Sequence, residues 1–103
     1  MRFLVITRPK HIVPPEMTAA LMDAMGPWQS KYAEQIEQAW GFAGTGGGGG
    51  IANVDSLEEL DAVMAEFPFG PLSDIEIIPL VDLDGALQRA KQAAQAMAAG
   101  GGG

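Results

Sequence analysis

Three side chains in this sequence are of types that can move a proton without a cofactor: Glu76, His11 and Tyr32. An imidazole exchanges protons near neutral pH, and a carboxylate in a cavity can act as a general base. A tyrosine hydroxyl can donate a hydrogen bond to a substrate oxygen. We take these three as candidate catalytic residues. The alternatives are an interface ion pair for Glu76, an exposed loop position for His11, and core or dimer packing for Tyr32.

Four further side chains are candidates for holding a substrate: Arg8, Trp28, Trp40 and Phe42. Strand alternation places Arg2, Leu4, Ile6 and Arg8 on one face of the first predicted strand. Of these, Arg8 lies near the C-terminal end of the strand and could attract a carboxylate. Trp40 and Phe42 alternate on one face of the second predicted strand and could line an apolar pocket. For Arg8 the alternative is a charge at the rim paired with an acid. For the aromatic residues it is packing in the core or in a dimer interface.

Composition excludes several classes of function. The formal net charge is −7, from 13 acidic and 6 basic residues that form no basic run, which disfavours nucleic acid and anionic lipid as partners. Without cysteine and with a single histidine, no metal site is expected, and no cofactor is expected either. No segment approaches the roughly 20 apolar residues of a membrane span. We therefore expect a cytoplasmic protein that acts on a small molecule.

The periodicity of apolar residues predicts the elements that must position these side chains. Ser56 and Glu59 predict a capped helix that Pro68 ends, with a buried stripe. That stripe comprises Leu57, Leu60, Met64 and Phe67. Strands are predicted at 2–7, 37–44, 50–56 and 74–82. A helix at 15–36, kinked at Gly26 and Pro27, and a helix at 83–99 complete the set. Residues 1–99 form one predicted domain, and the glycines at 100–103 form a predicted disordered tail.

Five consecutive glycines at 46–50 separate the second and third predicted strands. A phosphate-binding loop would need a helix directly after the glycines, and here a strand follows. A linker between domains does not suit so short a chain. The glycines therefore predict a hairpin that tolerates positive φ and lets a ligand or a second subunit approach closely. A loose surface turn is the alternative.

The predicted order β-α-β-β-α-β followed by a helix is the ferredoxin-like α+β pattern. Two helices would cover one face of an antiparallel sheet, and the other face would still carry apolar side chains. Dimerisation of sheet against sheet is the simplest way to cover that face. The third helix could cover a sheet edge or reach over a neighbouring subunit.

Three stretches, "AWGFAG", "VDSLEEL" and "EFPFGPLSDIEI", resemble the muconolactone isomerase family, and the resemblance spans roughly residues 2–82. It implies a dimeric α+β barrel, with larger assemblies up to decamers. It also implies a proton shift within a small carboxylated lactone. Catabolic members of the family carry polar and aromatic residues after the "AG" and a histidine near the end of the domain. This chain has glycines at the first place and no histidine at the second, so we expect a substrate other than muconolactone.

The sequence thus predicts a small cofactor-free isomerase-like enzyme that catalyses a proton shift, double-bond isomerisation or cyclisation on a small cyclic metabolite. It would be a homodimer or a larger homo-oligomer. Two alternatives remain on the same fold. One is a non-catalytic module for ligand binding or assembly, and the other is a cofactor-free monooxygenase.

Overall fold

A computed structural model describes residues 1–101, and within them the chain forms an α+β fold in the predicted ferredoxin-like order. The strands are β1 (Arg2–Pro9), β2 (Ile36–Gly41), β3 (Gly48–Asn53) and β4 (Ser73–Leu80). The helices are α1 (Pro15–Lys31), α2 (Leu57–Ala65) and α3 (Leu83–Gly101), with a short 3₁₀ helix at Gly70–Leu72. The fold prediction is confirmed.

The strands form one antiparallel sheet in the order β2-β3-β1-β4. In the central strand β1, alternate residues point to opposite faces. Phe3, Val5 and Thr7 are buried on the face that carries the helices. Leu4 and Ile6 point to the opposite face, which we call the open face, and are only half-buried.

The core lies between this sheet and α2. Its buried cluster consists of Phe3, Val5, Ala52, Val54 and Leu60, with Met64 packed against it. The predicted stripe of α2 is correct for Leu60, Met64 and Phe67 but wrong for Leu57, which is 61% exposed. Leu57 is the first residue of the helix, and Val63, which the prediction did not include, is buried together with Leu60.

The start of α2 has the predicted cap. The Ser56 hydroxyl accepts a hydrogen bond from the Glu59 backbone N–H at 3.1 Å. The Glu59 carboxylate accepts from the Asp55 N–H at 2.9 Å instead of from Ser56, and it also accepts from the Gln35 side-chain amide at 2.9 Å. The Asp55 hydrogen bond, followed by that of Gln35, lowers the pKa of Glu59 from its ordinary value, because both stabilise the charged form.

The glycine run forms the predicted hairpin, but its last three glycines are strand residues. Gly48, Gly49 and Gly50 pair with β1 on one side and with β2 on the other. The turn is made by residues 42–47 and uses positive φ at Gly44, Gly46 and Gly47. At Gly47 a side chain would also collide with the Thr7 carbonyl oxygen, so glycine is required there for two reasons.

The two outer helices differ from α2 in that neither is deeply packed. α1 runs unbroken through Pro27, and none of its residues is fully buried. α3 is exposed along its length except at Gly85 and Ala86, and the long axis of the molecule is 65 Å against 27 and 22 Å. α3 includes Gly100 and Gly101, two residues past the predicted start of the disordered tail; positions 102–103 lie outside the described residues. Among the described residues, no helix has the length and apolar character of a membrane span.

Candidate functional site

A cavity of about 630 Å³ lies between the helix-bearing face of the sheet and the two helices α1 and α2. β1 and β3 contribute one wall, and α1 contributes the opposite one through Thr18, Met22, Met25 and Trp28. The segment after α2 closes one side with Phe67, Phe69 and Leu72. The loop between β1 and α1 adds His11 and Val13. The space exists because α1 stands above the sheet without burying any residue against it.

The lining of this cavity is chiefly apolar. Among its lining residues in the described part of the chain, His11 is the one with an acid–base side chain. Gln29 and Ser73 add an amide and a hydroxyl, which can donate hydrogen bonds. No three His, Asp or Glu side chains within residues 1–101 are grouped so as to hold a metal ion.

His11 is exposed and lies at the rim of the cavity, in the loop that follows β1. The preceding residue fixes this loop, because the Lys10 N–H donates to the Leu72 carbonyl at 2.9 Å. Lys10 also approaches Asp74, with Nζ 3.9 Å from the carboxylate. The predicted catalytic histidine is thus located beside an apolar cavity.

Trp28 and Tyr32 make contacts that the sequence did not indicate. The Trp28 indole Nε1–H donates to the Val63 carbonyl at 2.9 Å, and the Tyr32 hydroxyl donates to the Ala62 carbonyl at 3.2 Å. Both carbonyls lie in the last turn of α2, where helix carbonyls lack partners within the helix. Trp28 and Tyr32, the residue that follows α1, therefore cap α2, while the Trp28 ring, 5.1 Å from that of Phe67, also forms part of the cavity wall.

The end of α1 is attached to α2 by one more contact, the ion pair of Lys31 and Glu66 at 2.7 Å. All three of these contacts follow Pro27. Tyr32 is absent from the cavity lining, and its hydroxyl is already engaged.

Glu76 lies on the other side of the sheet from the cavity. It pairs with Ile6 across β1 and β4, and directly opposed residues in an antiparallel ladder share a face. Glu76 is exposed on the open face, beside Ile78, which is 38% exposed. The structure therefore does not bring Glu76 together with His11.

Arg8 and Phe42 also lie away from the cavity. The Arg8 guanidinium is 6.0 Å from the centre of the Phe42 ring, and both border a separate, smaller hollow beside Thr45. Trp40 pairs with Gly49, so its side chain belongs to the open face, where it is half exposed, although the strand residue itself borders the cavity. Of the seven predicted site residues, the cavity lining includes His11 and Trp28, and Trp40 as part of the sheet wall.

Two sets of lining residues were missed in the sequence. Met22 and Met25 of α1 line the cavity, although neither was among the candidate site residues. Gly48 was assigned to the hairpin turn and Gly50 to the start of the third strand; both are strand residues and line the cavity. Their position directly before the apolar residues of β3 was the available signal.

A family model described as "Domain of unknown function (DUF3303)" matches residues 1–98. The chain belongs to the DUF3303 family. Among curated proteins, none matches its sequence significantly.

Solved structures share the fold of this DUF3303 domain. A crystal structure of muconolactone isomerase is 23% identical, with a TM-score of 0.70 over 80% of this chain and 90% of that one. The 5-chloro-2-hydroxyhydroquinone dehydrochlorinase TftG from Burkholderia phenoliruptrix AC1100, in complex with 2,5-dihydroxybenzoquinone, is 13% identical. Its TM-score is 0.62, over 82% of this chain and 98% of that one. The predicted resemblance to muconolactone isomerase is confirmed for the fold.

Proposed function

We propose that this chain is a small cofactor-free enzyme that binds a cyclic metabolite in the cavity below α1. The reaction is a proton shift, a double-bond isomerisation or a cyclisation, and His11 transfers the proton. The observation that carries this proposal is an apolar cavity of about 630 Å³ with one imidazole at its rim. The volume lies within the range of ordinary small-molecule sites.

A proton shift needs a group that removes a proton beside a carbonyl and a group that returns it. One imidazole can do both, because it accepts a proton when neutral and donates one when charged. The oxygen that gains negative charge needs a hydrogen-bond donor. Gln29 and Ser73 line the same cavity and have suitable side chains.

The test is exchange of substrate hydrogen with D2O, followed by NMR on a panel of small cyclic ketones and enol lactones. His11→Gln should lower the exchange rate by about 100-fold or more, in line with the usual contribution of general acid–base catalysis. Ile12→Ala is the matched control, because Ile12 is the next residue and fully exposed. Full exchange activity in His11→Gln would refute the role of His11.

We also propose that two copies associate through their open faces. This face carries Leu4, Ile6 and Ile78, which are apolar and incompletely buried. Light scattering should give a homodimer or a larger assembly, and a monomer would contradict the proposal. Glu76→Gln then separates two roles for Glu76: loss of turnover in an intact dimer indicates a base between the sheets, and dissociation indicates an interface ion pair.

A non-catalytic ligand-binding module is the second candidate. Trp28 and Tyr32 are engaged in capping α2, so His11 is left as the proton-transfer candidate in the cavity. A cavity with so few reactive groups favours binding without catalysis. Under this alternative, ligands bind without hydrogen exchange, and His11→Gln leaves their affinity unchanged.

A further inference from the structure

The cavity lining has no permanently charged cation that could neutralise an anionic ligand. None of its lining residues in the described part of the chain is Lys or Arg. Three of the six basic residues contact acids elsewhere: Arg2 with Glu37, Lys31 with Glu66, and Lys10 with Asp74. The other three are Arg8, in the separate hollow, and Arg89 and Lys91, which are exposed on α3.

An anionic ligand would therefore lose its hydration in this cavity without gaining a counter-charge. Moving a carboxylate from water into an apolar site is strongly unfavourable unless the charge is paired. The net charge of −7 adds long-range repulsion of anions. Both effects act against a carboxylated lactone.

The walls of the cavity favour a flat molecule. Gly50 and Gly48 lie opposite Val5 and Thr7 in the ladder and line the cavity, so this part of β3 offers backbone without side chains. On the facing wall, Met22 and Met25 of α1 supply thioether groups. Thioether sulfur makes favourable contacts with aromatic rings.

We propose that the ligand of this cavity is an uncharged planar ring compound whose hydroxyl or carbonyl group lies at His11. This inference rests on the function proposed above and restricts its substrate class. The size of the cavity accommodates a fused pair of rings.

The test compares 2-naphthol with 2-naphthoate by isothermal titration calorimetry at neutral pH. The two compounds have the same rings, but the first is neutral and the second is an anion. 2-Naphthol should bind at least about tenfold more tightly, because the carboxylate is desolvated without a partner.

Met25→Lys places a cation in the lining and should reverse this preference. Met17→Lys is the matched control, because Met17 lies on the same helix but is 49% exposed and outside the lining. Gln29→Lys, at an exposed lining position, replaces Met25→Lys if that variant does not fold.

The outcomes separate this inference from the proposal on which it rests. If 2-naphthoate binds the unmodified protein as tightly as 2-naphthol, the inference of an uncharged ligand is overturned, while the proposal that the cavity binds a small molecule stands. If neither compound binds, the proposal of a ligand cavity is overturned together with the inference. A reversal in Met17→Lys equal to that in Met25→Lys would place binding outside the cavity and overturn the inference as well.

Discussion

Removing the indole N–H of Trp28 should destabilise the protein measurably. Trp28→Phe deletes the donor to the Val63 carbonyl and keeps an aromatic ring beside Phe67. Val63 is 2% exposed, so water has little access to replace the lost donor. A buried carbonyl left without its partner costs about 1–3 kcal/mol of unfolding free energy.

Tyr32→Phe is the matched comparison, because it deletes a donor to the neighbouring carbonyl of Ala62. That hydrogen bond is exposed to solvent and longer, at 3.2 Å, so water can take its place. We expect a loss of about 0.5 kcal/mol or less, as for other surface changes. Each variant removes one donor to a carbonyl of α2, and the two carbonyls are adjacent in the chain. The loss of unfolding free energy should nevertheless be severalfold larger for Trp28→Phe than for Tyr32→Phe.

Urea unfolding, monitored by circular dichroism, measures the unfolding free energy of both variants. An unchanged dependence of that free energy on urea concentration indicates that unfolding remains two-state. Benzothienylalanine at position 28 keeps the shape of the indole without its N–H, and separates the hydrogen bond from ring packing. Equal losses for Trp28→Phe and Tyr32→Phe, or full stability of the benzothienyl variant, would show that the capping argument is wrong.

Two further predictions concern the hairpin and the start of α2. Gly47→Ala should lower the unfolding free energy by more than about 1 kcal/mol, because Gly47 has positive φ and faces the Thr7 carbonyl. Gly44 also has positive φ but faces open space, so Gly44→Ala should lower the unfolding free energy less in the same urea assay. The pKa of Glu59 is lowered from 4.5 in the folded state, so its stabilisation is present above that pH and is lost as the pH falls through the folded value. The stability difference between the unmodified protein and Glu59→Gln should therefore shrink in acid, with Glu58→Gln as the control, and a difference that grows in acid would contradict the assignment.

The order of elements could be predicted because it depends on local patterns. The apolar alternation of β1, the cap at Ser56 and the stops at proline all lie within a few residues of the structures they specify. The predicted boundaries differ at 48–49, where glycine favours a turn but pairing with β1 and β2 imposes a strand, and at the end of α1, which stops at Lys31 and not at residue 36.

The candidate site could be predicted only where a residue's surroundings follow from its own strand or loop. His11, a candidate from its side-chain chemistry, follows β1 in a loop and borders the cavity. Trp28 and Tyr32 looked like ligand contacts, since a pattern within α1 cannot reveal carbonyls 30 or more residues away in α2. The register of β1 with β4 decides the face of Glu76, and that register is a long-range property.

Both outer strands of the sheet carry a feature that disfavours pairing with a further strand. Pro79 in β4 has no backbone N–H to donate, and β2 has an irregular register between Ile36 and Gln38. Exposed strand borders can recruit further chains into fibrillar aggregates, and prolines and bulges prevent this. The addition of further strands is thereby hindered at both edges of the sheet, which agrees with the proposed association of two copies through their open faces.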